Sequence, residues 1–190
     1  PHYAVSIALV AKAGTLLPPG EVLQEDKPVL GVVYDPNREE LFTAVAGGGA
    51  WLNGHRIRAS RTTELENAVL ATGFPFRDFS FVDEYMPMFS EAMQNTRGVR
   101  RLGSAALYLA WTACGRYDGY WEMGLAPWDV AAGVVLAETV MPQRYRSQRD
   151  TTMTRLRHRH EQHSGWRSGC GREGRGKNSP GPFFSFFEFW

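Results

Sequence analysis

Residues 119–133, Gly-Tyr-Trp-Glu-Met-Gly-Leu-Ala-Pro-Trp-Asp-Val-Ala-Ala-Gly, leave few folds open to this chain. They predict a strand over 117–122 that delivers Glu122, a short turn, and a helix over 127–138. Pro127 suits the first helical turn, because its missing N–H is one the helix could not use. Asp129 then falls among the free backbone N–H groups at the positive end of the helix dipole. On spacing alone it reads as a helix-start residue. The neighbours sharpen that reading: Trp128 and the apolar run 130–137 are expected to bury the helix. Asp129 becomes a carboxylate at the rim of a core, suited to a hard cation such as Mg²⁺, which prefers oxygen ligands.

The remaining chain up to residue 138 predicts a meander of strands followed by alternating strands and helices. Residues 2–10 alternate, with Tyr3, Val5, Ile7 and Leu9 on one side, and read as a strand. Residues 11–25 hold Pro18-Pro19-Gly20, which cannot continue a strand and predicts an exposed loop. Strands are expected over 28–34 and 40–45, joined by the turn formers Asp35, Pro36 and Asn37. Gly47-Gly48-Gly49 reads as a tight turn before a strand over 50–52, because no Lys-Ser/Thr and no helix follow it. Asn53-Gly54 is a hairpin turn. A strand over 68–72 leads to a helix capped by Ser80, with an apolar face of Val82, Tyr85, Met86, Phe89 and Met93. A short strand over 99–102 precedes a helix over 105–114, capped by Ser104 and stopped by Gly115. That helix is apolar almost all round and is expected between layers. The whole is a layered α/β arrangement.

The net charge of +1 conceals a split. Residues 1–140 carry 11 Lys and Arg against 16 Asp and Glu, whereas residues 141–190 carry 10 against 4. This describes an acidic body, 1–140, and a basic tail, 141–190, rich in Arg, Gly, Ser and His. The tail shows no helical or strand period over 141–180, so disorder is expected there. Its end, with Phe183, Phe184, Phe186, Phe187, Phe189 and Trp190, is an aggregation liability. Cys114 reads as a small core residue, and two cysteines do not make a disulfide framework. No apolar stretch approaches the ~20 residues needed to span a bilayer, and no secretory leader is evident.

Several segments in order resemble one family. Trp128-Asp129-Val130-Ala131-Ala132-Gly133 looks like the C-terminal signature of the inositol monophosphatase family, the Mg²⁺-dependent, lithium-sensitive sugar-phosphate phosphatases. Arg100-Arg101-Leu102-Gly103-Ser104-Ala105-Ala106-Leu107 is similar to the family's Gly-Ser/Thr-Ala-Ala turn, at the family's distance before Glu122. Residues 31–36, 46–54 and 70–76 also resemble the family, so that the likeness covers 1–10 and 27–138. The resemblance implies the C-terminal portion of an αβαβα sandwich, followed by the tail, with 11–25 an insertion. It implies hydrolysis of a phosphomonoester such as inositol monophosphate in a cytoplasmic homodimer. Asp129 would be a ligand of the second Mg²⁺, Glu122 would accept hydrogen bonds from substrate hydroxyls, and the Gly103, Ser104 and Ala105 backbone would donate to them.

The family's other metal ligands lie in a Glu-Glu pair and an Asp-Pro-Leu/Ile-Asp-Gly-Thr turn, both upstream of the strand that begins this chain. Nothing here replaces them, and one carboxylate cannot hold two or three Mg²⁺ ions. The chain as written is therefore expected to be inactive. The abrupt change after Glu138 looks like translation in a shifted frame, and 11–25 is either a surface insertion or retained non-coding sequence. The alternative from another class is an interaction protein whose tail binds nucleic acid through residues 155–160 and 165–177, with Trp166 stacking on a base. Zinc held by His158, His160, His163 and Cys170 lacks the usual finger spacing.

Overall fold

The computed structural model describes residues 2–17, 20–76 and 78–141, with backbone alone for 145–147 and 183–187. The first half is the expected meander. Strands β1 (Val5–Ala11), β4 (Lys27–Asp35), β5 (Glu40–Val45), β6 (Gly49–Leu52) and β7 (His55–Arg56) form one antiparallel sheet in that order. The intervening segment closes on itself as a two-stranded ribbon, β2 (Leu16–Leu17) and β3 (Glu21–Val22), pinned by the buried Leu23. Asn53 and Gly54, both at positive φ, make the tight connection from β6 to β7. The triple glycine is a turn, as expected. Asp35 is fully buried at the β4–β5 turn, where its carboxylate accepts from the Asn37 N–H and the Arg38 guanidinium.

The second half is built from strand–helix units. β8 (Val69–Thr72), β9 (Gly98–Arg100) and β10 (Gly119–Leu125) run parallel, linked by α1 (Val82–Asn95) and α2 (Ala105–Ala113), and β10 leads into α3 (Pro127–Val140). Helices α2 and α3 lie between the two sheets, and α1 covers the far face of the parallel one. Eight of the nine α2 residues are buried, which is what an all-apolar helix requires. The layers are therefore sheet, helices, sheet, helix, four of the five in an αβαβα sandwich.

Small residues set the spacing of these layers. A methyl group on Gly31 of β4 would lie 2.3 Å from the Ala132 carbonyl oxygen of α3. One on Gly133 would lie 2.5 Å from Cβ of Leu109 in α2. The turn of α3 at 132–133 is thus wedged against a strand on one side and a helix on the other.

Three expectations need correction. Ser80 does not cap α1; it lies in a 3-10 turn, Phe79–Phe81, where Asp78 accepts the Ser80 N–H. The buried stripe of α1 runs through Tyr85, Met88, Phe89 and Ala92, whereas Met86 and Met93 are more than half exposed. Trp128 does not bury α3: it is 74% exposed, because it lies with Pro127 on the exposed first turn and the buried run begins only at Val130. Two segments of the tail also take regular structure. β12 (Phe183–Phe187) pairs antiparallel with β10, and β11 (Tyr145–Ser147) pairs with β12, giving the sheet order β11-β12-β10-β8-β9. They occupy an edge of β10 that would otherwise present unpaired backbone groups. The remaining tail residues, including the zinc and nucleic-acid candidates, lie outside the described residues. No described helix is long and apolar enough to cross a membrane.

The outer face of the first sheet is apolar and uncovered: Tyr3, Val5, Ile7 and Leu9 are each about half exposed, at 48–59%. A chain of residues 1–190 alone is expected to bind an apolar dye and to self-associate. Ile7→Thr with Leu9→Thr should reduce both effects without lowering the melting temperature, as measured by light scattering beside a thermal melt. Gly31→Ala is expected to act in the opposite way. The methyl group meets backbone that cannot rotate aside, so stability should fall by about 1–3 kcal/mol in a denaturant titration.

Candidate functional site

Because β8, β9 and β10 are parallel, their carboxyl ends meet along one edge of the sheet. The chain there turns into α1, α2 and α3, so helix N-termini and strand ends converge. Such edges are where open parallel sheets place ligands. Glu122 comes from β10, the Gly103-Ser104-Ala105 segment from the turn between β9 and α2, and Asp129 from the first turn of α3.

Glu122 sits where register leaves room for it. Trp121 pairs with Thr72 across the β8–β10 ladder, which brings Glu122 level with Gly73. A methyl group on Gly73 would lie 1.9 Å from Cδ of Glu122. Gly73 has ordinary φ, so glycine is required by this contact and by nothing in the backbone. The carboxylate accepts a hydrogen bond from the Tyr120 hydroxyl at 2.6 Å. Burial, then the charge of Glu122, pushes the Tyr120 phenol well above its usual pKa, so it stays protonated and remains a donor.

The Gly103 turn is held from behind. Gly103 has φ of +98°, a conformation that glycine takes at little cost. The Tyr108 hydroxyl accepts the Gly103 N–H at 2.8 Å and also the Leu102 N–H. Ser104 caps α2 as expected, its hydroxyl accepting from the Leu107 N–H at 3.5 Å. Tyr108 is fully buried, and burial is the main cause that pushes its pKa up to about 12. Arg101 lies over the rings of Phe76 and Phe74, at 4.6 and 5.4 Å from their centroids, which holds a cation beside the turn.

Asp129 is half-buried and closes the first turn of α3, with Oδ2 accepting the Ala126 N–H at 3.0 Å. Glu122, the Gly103-Ser104-Ala105 segment and Asp129 thus follow parallel strands at the same edge of the sheet. Tyr108 and Tyr120 feel the charge of Glu122, and Tyr120 feels that of Asp129 as well. Among the described residues, however, no group of three or more His, Cys, Asp or Glu could hold a metal ion. The donors present do not fit a complete magnesium site, which needs six oxygens in near-octahedral arrangement. Gly73, Tyr108, Tyr120 and Arg101 were not singled out by sequence reasoning. Only the parallel pairing of β8 and β10 brings Gly73 to Glu122, and hydroxyl contacts of buried tyrosines carry no sequence period.

With this geometry in hand, comparison with known proteins is specific. Residues 1–140 match the inositol monophosphatase family. The chain is 46% identical to the Nus factor SuhB of Pseudomonas aeruginosa over 140 residues, which is 73% of this chain and 47% of that protein. It is 48% identical to the inositol-1-monophosphatase of Synechocystis over 115 residues, 60% of this chain and 40% of the relative. The crystal structure of the extragenic suppressor protein SuhB from Bartonella henselae superposes with a TM-score of 0.62 at 39% identity, covering 76% of this chain and 49% of that one. The chain spans about half the length of the curated relatives it matches.

Gly73→Ala tests the contact that seats Glu122. The methyl group meets the far end of a flexible side chain, so the fold should survive with little change in melting temperature. A crystal structure of the variant should show the Glu122 carboxylate swung off the Tyr120 hydroxyl. An unmoved carboxylate would refute the contact.

Proposed function

The chain belongs to the inositol monophosphatase family, and from that premise we propose that it carries the hydroxyl-binding half, and one metal-binding carboxylate, of a phosphomonoester hydrolase. The observation that carries this reading is the convergence of Glu122, the Gly103 turn and Asp129 on one sheet edge. A carboxylate accepts from two adjacent hydroxyls at once, and free N–H groups at a helix start donate to them. Glu122 and the N–H groups of Ser104 and Ala105, which the Gly103 turn presents while its own N–H is held by Tyr108, thus form an acceptor and a donor wall for a polyol such as an inositol monophosphate. Asp129 adds a negative charge at the start of α3, where the family reading places a magnesium ligand.

The substrate in this reading is a sugar or inositol phosphate, and the working protein is a cytoplasmic homodimer. Catalysis needs further carboxylates, and one Asp cannot neutralise a phosphate-bound metal cluster. Residues 1–190 alone are proposed to be catalytically silent. The competing reading is a non-catalytic interaction protein, supported by the basic composition of residues 141–190.

A chimera separates the two. Joining the N-terminal half of the Pseudomonas aeruginosa relative ahead of residue 2 should give Mg²⁺-dependent, Li⁺-inhibited phosphate release from inositol 1-phosphate. Asp129→Asn in that chimera should lower turnover by at least ~100-fold, because metal charge stabilisation is worth several kcal/mol. Wild-type turnover in the variant would sink the ligand assignment. A silent chimera, with salt-dependent RNA binding by 141–190, would favour the competing reading.

A further inference from the structure

Two buried tyrosines join the acceptor and the donor of the candidate hydroxyl site. The rings of Tyr108 in α2 and Tyr120 in β10 lie 5.2 Å apart at 33°, and neither ring is more than 2% exposed. Each hydroxyl reaches a different part of the site: Tyr108 to the Leu102 and Gly103 N–H groups, and Tyr120 to Oε2 of Glu122. We propose that Tyr108 and Tyr120 are a positioning pair, which fixes the Gly103 turn and the Glu122 carboxylate at one separation so that they meet adjacent hydroxyls of a polyol. The proposal rests on the reading of those two elements as the hydroxyl-binding walls.

The physical argument begins with stiffness. A tyrosine has two rotatable side-chain torsions, and here both rings are packed in the core shared by the two helices and the two sheets. Tyr117 and Trp111 close on Tyr108 edge-on, with centroids 6.1 and 6.5 Å away. The pair therefore transmits position from a close-packed interior, whereas the turn and a glutamate alone are flexible. Second, the Tyr108 hydroxyl occupies two of the turn's donors. With Leu107 N–H taken by Ser104, the first N–H groups of α2 are left to face a ligand. Third, both phenols remain protonated well beyond neutral pH. The Glu122 contact therefore keeps its direction, with Tyr120 donating and the carboxylate accepting.

Tyr108→Phe and Tyr120→Phe keep the rings and remove the hydroxyls, so folding is preserved. Tyr117→Phe is the control, since its ring packs on Tyr108 and its hydroxyl makes no hydrogen bond among the described residues. Amide hydrogen exchange on the full 190-residue chain is expected to quicken about tenfold at Leu102 and Gly103 in Tyr108→Phe, with the interior of α2 unchanged. Neither Tyr120→Phe nor Tyr117→Phe should move those two amides. Binding of inositol 1-phosphate, measured by calorimetry, is expected to weaken at least fivefold in Tyr108→Phe and Tyr120→Phe, and to hold in Tyr117→Phe. Unchanged exchange at 102 and 103, or equal acceleration throughout α2, would overturn the proposal. So would unchanged affinity in both variants. Absence of binding by the wild-type chain would instead remove the hydroxyl-site reading, and the exchange measurement would still decide whether Tyr108 fixes the turn.

Discussion

The seating of α3 between β4 and α2 is the contact on which the rest of this structure depends. Its residues 132–133 carry almost no side chain, and the partners at the two contacts are a glycine strand position and a leucine Cβ. Backbone meets backbone on one side, and backbone meets side chain on the other. Close packing of this kind leaves no slack, because interiors are as dense as organic crystals. It fixes the distance between the two sheets and so fixes where the parallel sheet's edge lies. The first turn of α3 then stands outside the buried run, with Trp128 in solvent and Asp129 half-buried. A carboxylate at the rim of the core and a helix held rigidly inside it are consequences of the same wedge.

The elements that were legible in the sequence are those whose signal is local. Ser104 and Gly115 bracket α2 because a cap oxygen and a positive-φ stop are properties of single positions. The β4–β5 connection follows from the turn formers Asp35, Pro36 and Asn37, and the β6–β7 turn from Asn53-Gly54. The failures concern choices that only tertiary packing makes. On α1 the rows through Met86 and Met93, and through Met88 and Ala92, are neighbouring stripes of one apolar surface. Which of them is buried depends on where β8 and β10 lie beneath the helix. Likewise the alternation of β1 correctly places Val5, Ile7 and Leu9 on one side, but no alternation states whether that side is covered.

The site divides along the same line. Glu122, Gly103, Ser104, Ala105 and Asp129 stood out because a family's ordered motifs mark them, and the structure brings all of them to one sheet edge. Gly73 stood out to nobody reading along the chain, since a glycine after a strand is ordinary. Its meaning lies in the ladder, where Thr72 beside Trp121 leaves the next position to be filled by a carboxylate. Tyr108 and Tyr120 belong to runs of apolar residues and look like core. Their rings are core, while their hydroxyls reach the Gly103 turn and Glu122, which is the usual use of a tyrosine at such a boundary.

The electrostatic arrangement of the edge follows from these placements. Two helix starts, of α2 and α3, bring unpaired N–H groups and the positive ends of their dipoles to the same rim. Glu122 and Asp129 place acceptors against those donors, and Arg101, laid over Phe74 and Phe76, adds a cation at the outer side. An edge so mixed suits a ligand with many hydroxyls better than a bare anion. Hydroxyls both donate and accept, and each wall then finds its complement. The phosphate of such a ligand would have to be met by charge that Asp129, alone, cannot organise.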